Sequence, residues 1–291
     1  MATPKSPAHV PTSDWTSARG EKWHARLDNM EAMLRPVDVP LLGALPLDTP
    51  ARIVDLGCGG GATTAAILRC APVGSVVHGV DIAPTLIAAA RERLPPDARG
   101  VVFRVADVST AAPERPYHRM VSRFGVMFFD DARAAFANLF HWLEPGGSFA
   151  FALWGPLSEN PWVTTVREEV ARVVAVPPPA PDAPGPFRYA DTDTLRSVLD
   201  HVGFEKLDVR EWRGLLRLGD ALAPYAAADF ALASFANFDE LLTRAGAGAR
   251  DAAQRSLTAR LSHHTREGTV HLGACVRIVT GARPRGLRAL P

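Results

Sequence analysis

The sequence has 291 residues, with 32 Lys and Arg against 31 Asp and Glu, so its formal net charge is +1. This balance gives no field that would hold nucleic acid or an anionic membrane, and we expect a small-molecule partner instead. Cys58, Cys70 and Cys275 show neither disulfide nor metal-ligand spacing. No signal peptide or membrane-length apolar run is visible, so we expect a cytoplasmic protein without a metal site. Whether it forms a homo-oligomer is open.

The first 50 residues predict a disordered start followed by helices. Residues 1–13 are polar and contain three prolines. A helix is expected to begin after Ser13 or Asp14 and to carry Trp15, Trp23 and His24 on the way to a second helical piece. Pro36 and later prolines interrupt this region.

From residue 51 onward the pattern alternates strand and helix, which is typical of a parallel sheet with helices on both faces. The alternation holds as far as residue 155. We predict five strands here, at residues 52–56, 75–80, 101–105, 117–124 and 148–154.

Beyond residue 155 the alternation breaks. A helix at 193–201, a long strand at 204–218, an alanine-rich helical stretch and a last strand at 268–280 are expected, with the last two strands antiparallel. The proline-dense loop 177–186 is interpreted as a stiff gate. We divide the chain into a disordered start (1–13), a helical lid (14–50), a Rossmann-like core (51–155), a lid insertion (156–192), more core (193–219), a helical lid insertion (220–266), the final core strand (267–282) and a tail (283–291).

A glycine-rich turn follows the first predicted strand. Residues 57–62 fit the pattern G-x-G-x-x-A, which alone suits a nicotinamide or flavin dinucleotide as well as S-adenosylmethionine (SAM). Asp55 precedes the first glycine by two residues. A pyrophosphate would be repelled by this carboxylate, whereas SAM carries no phosphate, so Asp55 favours SAM.

Acids also end the next two predicted strands. Asp81 can accept hydrogen bonds from ribose hydroxyls, and Asp107 can accept from the adenine amine, with the small Ala106 leaving room for the ring. The alternative is that all three acids merely cap helices or turns. Acids at three successive strand ends are a more specific signal than the glycines.

Several motifs resemble those of class I SAM-dependent methyltransferases. They are VDLGCGGG at 54–61, GVD at 79–81, ADV at 106–108 and LEPGGSFAF at 143–151. Residues 122–129, 160–162 and 184–187 resemble a narrower group of small-molecule enzymes, which includes ubiquinone-biosynthesis-type and natural-product methyltransferases. The family usually has an acid within the fourth strand, where this chain has His118 and Arg119.

The resemblance covers about residues 15–282. It implies a Rossmann-like sheet of seven strands, mostly parallel with an antiparallel last strand, and helical lid insertions. It also implies SAM as methyl donor and S-adenosylhomocysteine as product. Ligands of open parallel sheets lie at the carboxyl ends of the strands. We therefore assign to the cofactor Trp15, Asp55, Gly57, Cys58, Gly59, Asp81, Ile82, Ala106, Asp107, Val108, Ser122, Arg123 and Phe124.

The acceptor site is predicted from aromatic residues and histidines. His24 and His118 are the candidate catalytic bases, although an amine or an electron-rich ring carbon needs no base. Aromatic residues could pack in the core or contact a substrate. The candidate substrate residues are Trp23, Phe128, Trp154, Trp162, Phe187 and Tyr189.

The function expected from these residues is methyl transfer to carbon or nitrogen of a small aromatic or indole-like metabolite, in secondary metabolism. An O-methyltransferase of a phenol or quinone precursor is the alternative. An NAD-dependent oxidoreductase is less favoured because Tyr-x-x-x-Lys is absent. A non-catalytic SAM-binding protein is also left open.

Overall fold

A computed structural model of the chain describes residues 12–178, 182–235 and 237–286. Most of the predicted disordered start and part of the predicted tail lie outside these residues. Within them, Thr12–Thr16 forms a short 3-10 helix ahead of the first α-helix.

The sheet of the described residues runs in the order β3-β2-β1-β4-β5-β8-β6, and a short strand, β7, pairs only with β8. The first five strands are mutually parallel, whereas β8 pairs antiparallel with both β5 and β6. This confirms the predicted fold class, with one two-residue strand more than expected. The strands are β1 Arg52–Leu56, β2 Val76–Asp81, β3 Val101–Val105, β4 Tyr117–Arg123, β5 Leu143–Trp154, β6 Glu205–Arg217, β7 Thr265–Arg266 and β8 Thr269–Ala282.

The fifth strand starts earlier than the sequence pattern predicts. Leu143 already pairs with Tyr117, and the register then shifts before Ser148 pairs with Arg119. The proline and two glycines at 145–147 lie within this irregularity, because glycine tolerates the distorted backbone.

Helices cover both faces of the sheet and extend over its carboxyl edge. Their ends follow local rules: Pro84 opens one helix, and the Asp131 side chain caps another by accepting from Ala134 N at 3.0 Å. The helices are α1 Ala18–His24, α2 Leu27–Leu34, α3 Asp38–Gly43, α4 Ala62–Cys70, α5 Pro84–Glu92, α6 Ala132–Trp142, α7 Pro161–Ala171, α8 Thr192–Val202, α9 Pro224–Ser234, α10 Phe238–Ala245 and α11 Ala247–Ser262.

One ring holds the glycine turn against the sheet. Phe103 of β3 is 4% exposed. A Cβ added to Gly79 would lie 2.5 Å from its ring, and one added to Gly61 would lie 2.7 Å from it. Both glycines are therefore required by the packing of Phe103, which fixes the turn relative to β2 and β3.

The predicted lid segments contain α1 to α3, α7 and α9 to α11, together with described loop residues such as 172–178 and 182–190. α1 packs against α5, and α9, α10 and α11 pack together with α7. Among the helices of residues 12–178, 182–235 and 237–286, none is long and apolar enough to cross a membrane.

Candidate active site

A large cavity lies at the carboxyl ends of β1 to β4, where ligands bind in open parallel sheets. One half is lined by the glycine turn and acidic side chains, and the other by aromatic and aliphatic ones. The cavity lining includes Trp15, Trp23, Met30, Glu31, Met33, Asp55, Gly57, Cys58, Gly59, Asp81, Ile82, Ala106, Asp107, Val108, Arg123, Phe124, Phe128, Trp154, Trp162, Ser234 and Phe235.

The glycine turn is held by β2. Gly57 and Gly59 have φ values of 65° and 54°, in the left-handed region that favours glycine. Gly57 N and Cys58 N both donate to Val80 O, at 2.8 and 3.1 Å. A Cβ on Gly57 would lie only 3.1 Å from Gly125 Cα. The turn therefore presents bare backbone to the cavity.

Asp81 braces this turn as well as lining the cavity. Its Oδ2 accepts from Gly59 N at 2.9 Å, and its Oδ1 accepts from Ala83 N at 2.9 Å. Burial raises the pKa of the carboxyl, while these backbone donors and that of Ile82 oppose the rise. Each carboxylate oxygen has two lone pairs, so both can still accept from a ligand.

Asp55 is the most deeply buried acid of the cavity. It is 1% exposed, and its Oδ2 accepts from Thr64 Oγ1 at 2.7 Å. Its Oδ1 has no hydrogen-bond partner among the described residues. Burial raises the pKa to about 7, although Thr64 and Arg123 both lower it. Burying a carboxylate oxygen without a hydrogen-bond partner costs free energy unless a ligand donates a hydrogen bond to it.

Asp107 partly fits the capping interpretation. Its Oδ1 accepts from both Ser109 N, at 2.9 Å, and Ser109 Oγ, at 2.6 Å. The preceding Ala106 donates its backbone N–H to Asp81 O at 3.0 Å. Asp107 thus shapes its own loop, and it still lines the cavity beside Ala106 and Val108.

Arg123 is the one basic residue among the described residues that line the cavity. Its Nη1 lies 3.1 Å from Asp38 Oδ1, and the two side chains are 9% and 11% exposed. Thr63 Oγ1 also donates to Asp38, at 3.0 Å. This network links the N-terminal helices to the carboxyl end of β4.

Four rings form what we call the aromatic wall: Phe124, Trp154, Trp162 and Phe235. Phe124 stacks on Trp154 with centroids 4.1 Å apart and planes 9° apart. Trp162 lies 4.5 Å from Trp154, and Phe235 meets Trp162 edge-on at 4.9 Å. Phe124 has a φ of 66°, which is unusual for a residue with a side chain. Strain of this kind is concentrated at functional sites.

A second aromatic group lies under the N-terminal helices. The ring of Trp15 is 5.9 Å from Trp23 and 5.1 Å from Phe128. The Arg19 guanidinium stands 5.3 Å from the Trp15 ring centroid, within cation–π distance. Burial lowers the pKa of Arg19. Trp15, Trp23 and Phe128 all line the cavity, and their contacts with cofactor or substrate stay predictions.

The structure does not support either histidine as a catalytic base. His24 is exposed and does not line the cavity, because it follows the inward-facing Trp23 on α1 and consecutive helical residues point in different directions. His118 lies at the amino end of β4, away from the cavity. Its Nδ1 accepts from Arg52 N at 2.8 Å, and its Nε2 lies 3.6 Å from Glu144.

Three further predicted site residues lie outside the cavity. Ser122 joins strand ends, since its Oγ donates to Leu56 O at 2.8 Å. The ring of Phe187 stacks on that of Trp162 with centroids 6.3 Å apart, but Phe187 does not line the cavity. Tyr189 is 1% exposed and packs near Phe136, and burial raises its pKa to about 12. The structure thus does not bring these three residues into the cavity lining with the other predicted site residues.

Sequence reasoning missed part of the cavity lining. Glu31 lines it while paired with Arg93 at 2.5 Å, and burial raises the pKa of Glu31. Apolar residues of α2 (Met30, Met33 and Leu34) and the end of α9 (Ser234) also line it, together with Met127, Phe129 and Pro186. The apolar spacing of α2 could have indicated a buried face, but no local sequence pattern indicates that Ser234 lines the cavity.

One group of possible metal ligands occurs among the described residues: Glu159, Glu211 and Cys275. Arg213 pairs with both carboxylates, at 2.5 Å from Glu159, and Arg277 also pairs with Glu211. The negative charges are thus already balanced. The group lies outside the cavity described above.

The fold is α/β, and its cavity lies at the sheet edge where ligands bind in open parallel sheets. Residues 53–147 match the family described as "Methyltransferase domain". The chain is 33% identical over 147 residues to a trans-aconitate 2-methyltransferase of Methylobacterium nodulans, a match that covers 50% of this chain and 52% of that protein. A trans-aconitate 2-methyltransferase of Methylobacterium radiotolerans is 29% identical over 65% of this chain and 78% of its own.

Among solved structures, the fold is similar to phosphoethanolamine N-methyltransferase 2 of Haemonchus contortus in complex with SAM. The TM-score is 0.55 at 16% identity, over 94% of this chain and 60% of that chain. At this identity the likeness shows the fold alone. The matched region spans about half the length of the first relative named above.

Over residues 53–147 the chain is thus similar to methyltransferases, and this similarity points to SAM as its cofactor. The cavity fits this cofactor. The unpaired Oδ1 of Asp55 suits an ammonium group, and the bare glycine backbone lets a ligand approach closely.

Proposed function

We propose that this chain transfers the methyl group of SAM to carbon or nitrogen of a neutral, flat aromatic or heteroaromatic small molecule, in secondary metabolism. The aromatic wall carries the proposal. Phe124 lies at the end of β4 beside the glycine turn, and the rings continue from it to Phe235. Stacked and edge-on rings favour a flat apolar partner.

The acidic half of the cavity would hold the cofactor. Asp55 would accept from its ammonium group, and Arg123 would face its carboxylate. Asp81 would accept from the ribose hydroxyls, and Ala106 and Asp107 would lie along the adenine. When bound, SAM supplies an electrophilic methyl group on a positively charged sulfur, to which aromatic faces are attracted.

The chain's own contribution would be alignment. No histidine is among the described residues that line the cavity, and the aromatic wall carries no carboxylate. An acceptor that attacks as a neutral amine or ring carbon and then loses its proton to water fits this lining. Holding it in line with the methyl group can supply about 7–11 kcal/mol of the barrier.

The names of the relatives point to a different acceptor, trans-aconitate, which carries three carboxylates. This cavity offers one cation among its described lining residues, Arg123, which pairs with Asp38 and would face the carboxylate of the cofactor. Two or three carboxylates would be desolvated there without partners, which is costly. We therefore favour the neutral aromatic acceptor, with a phenolic oxygen as the second candidate.

The test has two stages. Calorimetric titration should show binding of S-adenosylhomocysteine and none of NAD; the reverse result would contradict the cofactor assignment. The protein is then incubated with isotope-labelled SAM and a panel of indoles, phenols, aromatic amines and trans-aconitate. A mass shift in an indole or aromatic amine supports the proposal. A shift in trans-aconitate alone overturns it.

A further inference from the structure

Ser234 is the last residue of α9 and lines the cavity beside the aromatic wall. Its Oγ is buried, and no hydrogen-bond partner for it occurs among the described residues. Ser234 directly precedes Phe235, whose ring meets Trp162 at 4.9 Å. A hydroxyl is thus placed next to the far end of the wall from the glycine turn.

An unpaired buried hydroxyl is unfavourable, because it has left water without gaining a partner. Serine hydroxyls near a helix end commonly donate to a backbone carbonyl one turn earlier, but this one has no such bond. The residue itself is only half-buried. Rotation about its single χ1 torsion would move Oγ without displacing the backbone.

The residues around Ser234 restrict which ligand group could hydrogen-bond its hydroxyl. The charged lining side chains Asp55, Asp81, Asp107 and Arg123 lie at strand ends and the loops that follow them, and Glu31 of α2 lies against Gly60 of the glycine turn. Ser234 directly precedes Phe235, whose ring contacts the rings of Trp162 and Phe230. A charged group would be poorly solvated there, so a neutral one is required.

We propose that Ser234 is a specificity-determining residue, whose hydroxyl hydrogen-bonds a neutral polar group on the aromatic acceptor, such as a ring N–H, a hydroxyl or a carbonyl. This rests on the proposed aromatic acceptor. The serine hydroxyl can both donate and accept, so it suits each of these groups. A ring system without the polar group would leave Ser234 unpaired and would bind more weakly.

The test uses two probes of nearly the same shape: indole, which has a ring N–H, and indene, which does not. Their binding to the protein saturated with S-adenosylhomocysteine is measured by calorimetry. The unmodified protein should bind indole about tenfold more tightly than indene, the ratio expected for one well-made hydrogen bond. Ser234→Ala should reduce this preference below about threefold by weakening indole only. Ser234→Thr, which keeps the hydroxyl, should retain it.

The outcomes separate the two proposals. If the unmodified protein binds both probes equally, or if Ser234→Ala keeps the preference for indole, Ser234 does not hydrogen-bond the acceptor. The proposal of an aromatic acceptor is then unaffected. If neither probe binds, the proposal of an aromatic acceptor is wrong, and so is the proposed role of Ser234, which depends on it. A thermal melt of each variant checks folding, and Ser234→Ala should melt no lower than the unmodified protein because it removes an unpaired group.

Discussion

The guanidinium of Arg123 lies 3.1 Å from the carboxylate of Asp38, and both side chains are about nine-tenths buried. Asp38 belongs to α3 in the N-terminal helices, whereas Arg123 ends β4 in the sheet. The pair therefore ties the helical region to the strand end where the cavity opens. Breaking one side of a buried pair leaves the other charge without compensation.

Asp38→Ala should lower the free energy of unfolding by about 3–5 kcal/mol, because Arg123 would stay buried without its partner. Urea unfolding measures this loss. Asp208→Ala is the matched control, since Asp208 pairs with Arg210 at the same distance of 3.1 Å but with side chains 56% and 72% exposed. That change should cost less than about 1 kcal/mol. Equal losses in the two variants would show that Asp38 makes no special contribution.

Asp55 should make stability depend on pH. Its pKa is about 7 in the folded protein, well above the ordinary 3.8, mainly through burial. The folded state thus binds this proton more tightly than the unfolded state, so the free energy of unfolding should fall as pH rises from about 4 to about 7 and then level off. The full effect is at most about 4 kcal/mol.

The measurement compares urea unfolding at several pH values between 5 and 8 for the unmodified protein and Asp55→Asn. Burial also raises the pKa values of Glu31 and Asp81, which act in the same direction. The difference between the two proteins isolates Asp55. Parallel pH profiles would contradict the raised pKa.

The same carboxyl should make cofactor binding depend on pH in the opposite sense. A ligand ammonium group needs the ionised form of Asp55, so affinity for S-adenosylhomocysteine should rise between pH 6 and pH 8. Calorimetry in two buffers with different ionisation enthalpies should detect proton release on binding. Asp55→Asn should remove that release. Persistence of the full release in this variant would move its source to another group.

The acidic half of the site could be predicted because strand direction is readable from the sequence. Asp55, Asp81 and Asp107 each follow an apolar strand, and carboxyl ends of parallel strands share one edge of the sheet. The same reasoning applied to His118 would have excluded it. His118 is the second residue of β4, five residues before Arg123, and so lies at the opposite edge.

The aromatic half was only partly predictable. Trp154 and Trp162 flank the loop after β5, where Asn160 accepts from Trp162 Nε1 and donates to the carbonyls of Gly155 and Pro156. That local cluster is visible in the sequence. Ser234 comes from a distant helix rich in alanine, and its place depends on tertiary packing that no local pattern encodes.

Trp154→Leu should weaken acceptor binding more than cofactor binding. Loss of this ring interrupts the wall between Phe124 and Trp162. We expect KM for an aromatic acceptor to rise at least tenfold while the Kd of S-adenosylhomocysteine changes less than threefold, since ring pairs contribute about 0.5–1.5 kcal/mol beyond their buried area. Steady-state kinetics and calorimetry give the two values.

Trp142→Leu is the control for this change. Trp142 is 3% exposed, stacks on Tyr117 and donates to Ala111 O, but it does not line the cavity. It should lower the melting temperature while leaving KM and Kd unchanged. If both tryptophan variants raise KM alike, the effect comes from general destabilisation and the wall has no special role.

Asp81→Asn should weaken the binding of S-adenosylhomocysteine at least tenfold. The carboxylate of Asp81 already accepts from Gly59 N and Ala83 N, and ribose hydroxyls would add charge-assisted bonds worth about 1.5–3 kcal/mol to a charged acceptor. Asp131→Asn is the control, because Asp131 caps α6 through Ala134 N and does not line the cavity. Calorimetry should show unchanged affinity for that variant. Loss of affinity in Asp81→Asn with an unaltered melting temperature would assign Asp81 to the ligand, whereas unchanged affinity would leave it as a brace for the glycine turn alone.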